Sequence, residues 1–176
     1  MVRFERQPPG TAITRATLIV GVALVVFAGF EVVARSPKVA ALGAGLSGAL
    51  LLIGGNRANH GAGGPTDRML DALDDRVWDG VVLASIGWVS RLAAPSVAAG
   101  ALVALGASFL SAYVRAKGAS LGYAVEESHV TRGVRYALIA AGLGFAWLRW
   151  TIWAAAAVSI LAVVVRTAQV AREERA

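Results

Sequence analysis

Five aspartates crowd the stretch DRMLDALDDRVWDG, residues 67–80. Asp67, Asp71, Asp75 and Asp79 recur every fourth residue, with Asp74 beside them. On a helix a four-residue step turns about 400°, so these four carboxylates form one slowly drifting stripe. Like charges at that spacing repel, and the uncharged run VVLASIGWVS follows at once. Two chemistries reconcile such a stripe with an apolar neighbour. Acids in the first turn of a helix favour its dipole and stay in water, which suits Asp67 as an N-cap. Asp71 and Asp75, one turn apart and nearer the apolar run, have the spacing to share a divalent cation, whose charge removes their repulsion.

The elements that must position these acids are apolar. Of 176 residues, 57% are hydrophobic and only 16% charged, above the ~45–50% apolar content of a soluble domain. Mean hydropathy is +0.63. Six segments carry this excess, at about 16–34, 39–55, 71–90, 92–114, 134–148 and 150–165. A spanning helix needs ~20 mostly apolar residues. The third and fifth segments reach that length only by borrowing a polar turn. The sequence therefore predicts an all-α integral membrane protein, a single six-helix domain over 1–176 with a polar segment at 1–15. Five spans is the alternative, if the last two segments form a re-entrant hairpin.

Lys and Arg set the orientation. With six spans, thirteen of the seventeen fall on one side, leaving Arg35, Lys38, Arg91 and Arg149 on the other. That imbalance predicts cytoplasmic N- and C-termini in a bacterial inner membrane. Trp147, Trp150 and Trp153 fit an outer aromatic belt. A sequence pI near 10.7 does not point to nucleic acid, because the basic residues are scattered between apolar segments. The first apolar run is too long for a cleavable signal, which needs an h-region of about 7–15 residues. Without cysteine, disulfides are excluded.

LDALDDRVWDG resembles the second half of the signature of the CDP-alcohol phosphatidyltransferases, DxxDGxxAR, eight residues, then GxxxDxxxD. Asp71 and Asp75 match its last two acids, and Arg76 and Asp79 match residues common just after them. SAYVRAKGASLG, then HVTRGVRY, is similar to a later stretch of that family, with Arg115, Arg132 and Arg135 in step. SILAVVVRTAQVARE resembles the final helix of members that make phosphatidylinositol phosphate and related lipids. The resemblance runs from about residue 37 onward and implies a six-helix bundle, usually a homodimer, acting on a CDP-diacylglycerol-like lipid. A hetero-oligomer with a related membrane protein is the other assembly considered. It further implies magnesium or manganese held by four acids, with Asp75 at the position of the base. Gly54 falls at the motif glycine, and Arg115, Arg135 and Arg132 at positions that hold the acceptor's phosphate.

The signature's first half is degenerate. Without gaps its two leading acids fall on Leu50 and Ile53, its AR pair on Arg57 and Ala58, and its later glycine on Asp67. Four acids holding two metals stabilise charge in an in-line displacement, so losing two should abolish that arrangement. The stretch LLLIGGNRANH instead puts apolar residues at the ligand positions. Asn56, Asn59 and His60 mimic the spacing if the loop is shortened, but neutral amides are poor ligands for a hard cation. Gly43, Gly45 and Gly48 spell GxGxxG inside an apolar segment with no preceding strand, which suits helix packing rather than a dinucleotide. His60 and His129 have no ligand neighbours in sequence. The basic group Arg115, Lys117, Arg132 and Arg135 fits either membrane topology or a phosphate, which arginine forks grip bidentately.

Three functions follow. The first is a family member with impaired transferase chemistry, retained for lipid, phosphate or partner binding. The second is a working phosphatidyltransferase with a rearranged metal site, moving a phosphatidyl group from a CDP-lipid to an alcohol or sugar phosphate. The third is an acid-lined helical bundle that moves cations.

Overall fold

The structure, a computed structural model, describes residues 11–59, 64–123 and 129–173. They form six helices: α1 (Thr11–Val33), α2 (Pro37–Asn59), α3 (Pro65–Ser90), α4 (Pro95–Ser120), α5 (His129–Gly144) and α6 (Leu148–Glu173). Proline opens α2, α3 and α4, where its fixed φ suits a helix and its missing N–H has no intrahelical partner to lose. Short turns join α1 to α2, α3 to α4 and α5 to α6. Arg35 and Ala146, at φ near 60°, supply left-handed residues in two of these turns. The last break therefore falls at residues 145–147, before Arg149 rather than at it.

Four helices, α1, α2, α4 and α6, are long and apolar enough to cross a membrane. α3 has the length but carries five aspartates in its first 15 residues, and α5 has only 16 residues. Outward-facing Ile19, Phe30, Leu42, Leu102 and Leu161 leave apolar surface open on four helices, as a bilayer solvent requires. The chain is thus a helical membrane protein.

The helices close a ring in the order α1, α2, α5, α6, α4, α3, with α2 also touching α3. Among the described residues, α3 and α5 have no Cα pair within 8 Å, so long side chains must fill the space between them. Toward the end where α3 and α5 finish, that filling is apolar: Val82, Leu83, Ile86, Ile139 and Ile152 are fully buried. Toward the end where they begin, it is ionic.

Candidate functional site: an aspartate–arginine network beside an arginine-lined cavity

α3 begins with Gly64 as its N-cap and Asp67 three residues in, where Asp67 Oδ2 accepts the Gly64 backbone N–H at 2.9 Å. Asp67 therefore caps from the third helical position rather than as the N-cap itself, because Pro65 starts the helix one turn earlier than the acidic stripe suggests. Its Oδ1 accepts from Arg15 Nε of α1 at 2.7 Å. Burial alone would raise its pKa, but the Arg15 and Gly64 hydrogen bonds and the Arg15 charge hold it below the ordinary 3.8.

The next turns of α3 aim their acids at α5. Arg132 Nη1 donates to Asp71 Oδ1 at 2.8 Å, and Arg132 Nε lies 3.4 Å from Asp75 Oδ1. Arg135 Nη2 donates to Asp75 Oδ1 at 3.1 Å and to Asp79 Oδ2 at 2.9 Å. Tyr136 donates its hydroxyl to Asp75 Oδ1 at 2.6 Å. Arg76 pairs with Asp75 Oδ2 and donates to Ser108 Oγ of α4 at 2.7 Å, while Ser108 donates to Asp79. Asp71, Asp75 and Asp79 thus face Arg76, Arg132 and Arg135, three charges against three. All three acids and both α5 arginines are buried. Taking one partner from such a pair strands a buried charge, at a cost of about 3–5 kcal/mol.

α2 makes room for this network. A Cβ at Gly55 would collide with the Asp71 carboxylate, and one at Gly48 would sit 2.8 Å from the Tyr136 ring. Tyr136 stacks at 4.1 Å on Trp78, whose Nε1 donates to Ser47 Oγ at 3.0 Å. Asn59 Nδ2 donates to Asp71 Oδ2 at 3.1 Å. The α2 positions seen to meet the acids are therefore Gly55 and Asn59, where Leu50 and Ile53 are the expected ones. Ile53 is 51% exposed. Gly54 also turns away, toward Leu18 of α1. The expected register fails because α2 is rich in small and apolar residues on every side, which leaves its phase unreadable from sequence. Of the neutral set proposed to stand in for the lost acids, Asn59 is seen at Asp71, and His60 lies outside the described residues.

This geometry does not fit a pair of divalent metals. α2 contains no acid at any position, so no register supplies the missing ligands. The oxygens that Asp71 and Asp75 would offer a cation accept hydrogen bonds from arginine, tyrosine and asparagine. Among the described residues no cluster of three or more Asp, Glu, His or Cys could hold a metal ion.

Beside the network lies a cavity lined by Arg76, Arg115, Arg132, Arg135 and Arg166, with Ser111 and Ser159. The space between atoms is ≈ 390 Å³, of which ≈ 20 Å³ takes the centre of a water molecule. Arg166 Nη1 of α6 donates to Ser111 Oγ at 2.6 Å, one turn beyond the serine gripped by Arg76. The structure therefore brings together the sequence-nominated Arg115, Arg132 and Arg135, and adds Arg76, Tyr136, Ser108 and Arg166. Tyr136 could have been found from its place beside Arg135 in HVTRGVRY. The serines and Arg166 carry no signal in their spacing.

The class these observations define is a helical membrane protein with a buried acid–arginine core and an arginine-lined cavity beside it. Over 94% of its length the chain is 32% identical to the phosphatidylinositol phosphate synthase of Corynebacterium glutamicum, covering 78% of that protein. It belongs to the CDP-alcohol phosphatidyltransferase family. Its fold matches the phosphatidylinositol phosphate synthase of Mycobacterium tuberculosis in an apo form, at a TM-score of 0.74 and 20% identity over 91% of this chain and 95% of that one. It also matches that enzyme with CDP-DAG bound, at a TM-score of 0.75 over 92% and 93%. No family model matches the sequence.

Proposed function

We propose that this protein is a phospholipid-metabolism member of its family in which ion pairs have replaced the transferase metal site, and which keeps a phosphate- or lipid-headgroup-binding cavity. The observation that carries the reading is the double loss at the metal position: no acid on α2, and arginines on the α3 acids. The basic cavity supports retained anion binding, since guanidinium forks suit phosphate. As its side chains stand, the cavity admits about one water, so an arriving phosphate must draw Arg115 and Arg135 onto itself. Its lipid would be CDP-diacylglycerol-like, by analogy with the lipid-bound neighbour. Six spans, cytoplasmic termini and a homodimer or a pairing with a related membrane protein complete the proposal. Thirteen basic residues on one side support that orientation.

The purified protein should release no CMP from a CDP-alcohol lipid with magnesium or manganese, with inositol phosphate or glycerol phosphate as acceptor. Inorganic phosphate or inositol phosphate should still bind, about tenfold more weakly after Arg115→Ala or Arg135→Ala. The likeness to a protein named as a synthase favours a second reading, a working transferase with a rearranged metal site. Metal-dependent CMP release that disappears in Asp75→Asn would establish that reading instead.

A further inference from the structure

Among the described residues, Asp74 is the one acid of the α3 cluster with no ion-pair partner. Asp67 has Arg15, and Asp71, Asp75 and Asp79 share Arg76, Arg132 and Arg135. Asp74 points the other way, to the α1 side, where it lines a groove with Leu18, Ile19, Val22 and Leu70. The residue is 7% exposed, and its Oδ2 has no hydrogen-bond partner. The groove encloses ≈ 430 Å³ between its atoms and opens on the outer surface of the bundle, where Ile19 is 68% exposed. It lies across α3 from the arginine cavity and shares none of that cavity's lining residues.

A carboxyl at the base of an apolar groove on a lipid-facing surface is costly unless something pairs with it, and such residues tend to mark binding sites. The groove selects for two properties in one ligand. Its aliphatic walls need an alkyl body, and its single unpaired acid needs a hydrogen-bond donor. Local pairing decides between donors: Asp67, Asp71, Asp75 and Asp79 already have arginines, so a cationic head suits Asp74, the acid left with an open oxygen. We infer that the α1–α3 groove is a binding site for an ammonium-bearing membrane amphiphile, whose head pairs with Asp74 and whose chain lies along Leu18, Ile19 and Val22. An aminophospholipid and a free long-chain amine present the same head.

Native mass spectrometry of the full chain released from detergent tests this with dodecylamine, dodecanol, phosphatidylethanolamine and phosphatidylglycerol of matched chains. Dodecylamine should bind about tenfold tighter than dodecanol, and Asp74→Asn should remove that preference while leaving the fold intact. Val22→Trp, which fills the groove and keeps the acid, should block the amine as well. If phosphatidylethanolamine is retained over phosphatidylglycerol in the same Asp74-dependent way, the head comes from a phospholipid; if dodecylamine alone shows the preference, it comes from a free amine. Arg115→Ala should leave both results unchanged, which separates this site from the phosphate cavity. Equal binding of amine and alcohol, an unaltered preference in Asp74→Asn, or a protein partner held by Asp74 in place of any lipid would overturn the inference.

Discussion

The interface between α1 and α2 and the gap between α3 and α5 solve opposite problems. In the first, backbones touch: a Cβ on Gly43 would lie 3.0 Å from that of Ala28 and 3.4 Å from its Cα. Association there depends on close van der Waals packing, which small residues permit and lipid cannot compete away by hydrophobicity. In the second, the backbones stay apart, and arginine side chains reach across to aspartates. Packing tolerates errors of a fraction of an ångström by shifting; a buried charge without its partner has no cheap relaxation. The ionic gap should therefore be the more brittle of the two, although it has fewer atoms in contact.

The largest effect is expected there. Arg135→Met leaves Asp75 and Asp79 short of a shared partner and should destabilise the protein by about 3–5 kcal/mol, read by thermal unfolding in detergent. Gly43→Leu, which forces α1 from α2, should cost about 1–3 kcal/mol. If the glycine variant proves the more damaging, the ranking of the two interfaces is reversed. The smallest effect should come from Arg15→Ala: Asp67 is buried, but Arg15 is about one-third exposed, so water can take its place, and Asp67 keeps the Gly64 N–H, which leaves a loss of about 1 kcal/mol. That increment has a pH signature. Asp67 is held below its ordinary value, so the pair stabilises above the unfolded pKa near ~3.9. The benefit is lost as pH falls through the lower folded value. Wild type and Arg15→Ala should then differ at pH 7 and converge only at pH below the ordinary carboxylate value of 3.8.

The same contrast explains what the sequence disclosed. Six apolar segments announced the helices, and the four-residue spacing of Asp67, Asp71, Asp75 and Asp79 announced an acidic stripe on one of them. What stayed hidden was the phase of α2. A helix lined on most sides by Gly, Ala and Leu has no preferred face to read, so Leu50 and Ile53 were placed opposite acids that Gly55 and Asn59 meet. Nor could spacing tell that arginines pair with the α3 acids, since an arginine and a metal ion satisfy the same stripe. Asp74 stands beside that stripe in the sequence, and only the three-dimensional arrangement shows it lining a groove with α1.

The ionic gap also has a calendar. Asp71 and Asp75 precede Arg132 and Arg135 by about sixty residues. At roughly 5–20 residues per second of synthesis, α3 exists for about 3–12 s before α5 leaves the ribosome. During that interval its carboxylates must be held without the two arginines that will bury them. Arg76, made in the same helix one residue after Asp75, is present throughout. Its finished role is one ion pair among several, but during biogenesis it is the counter-ion that Asp75 and Asp79 have before α5 is made.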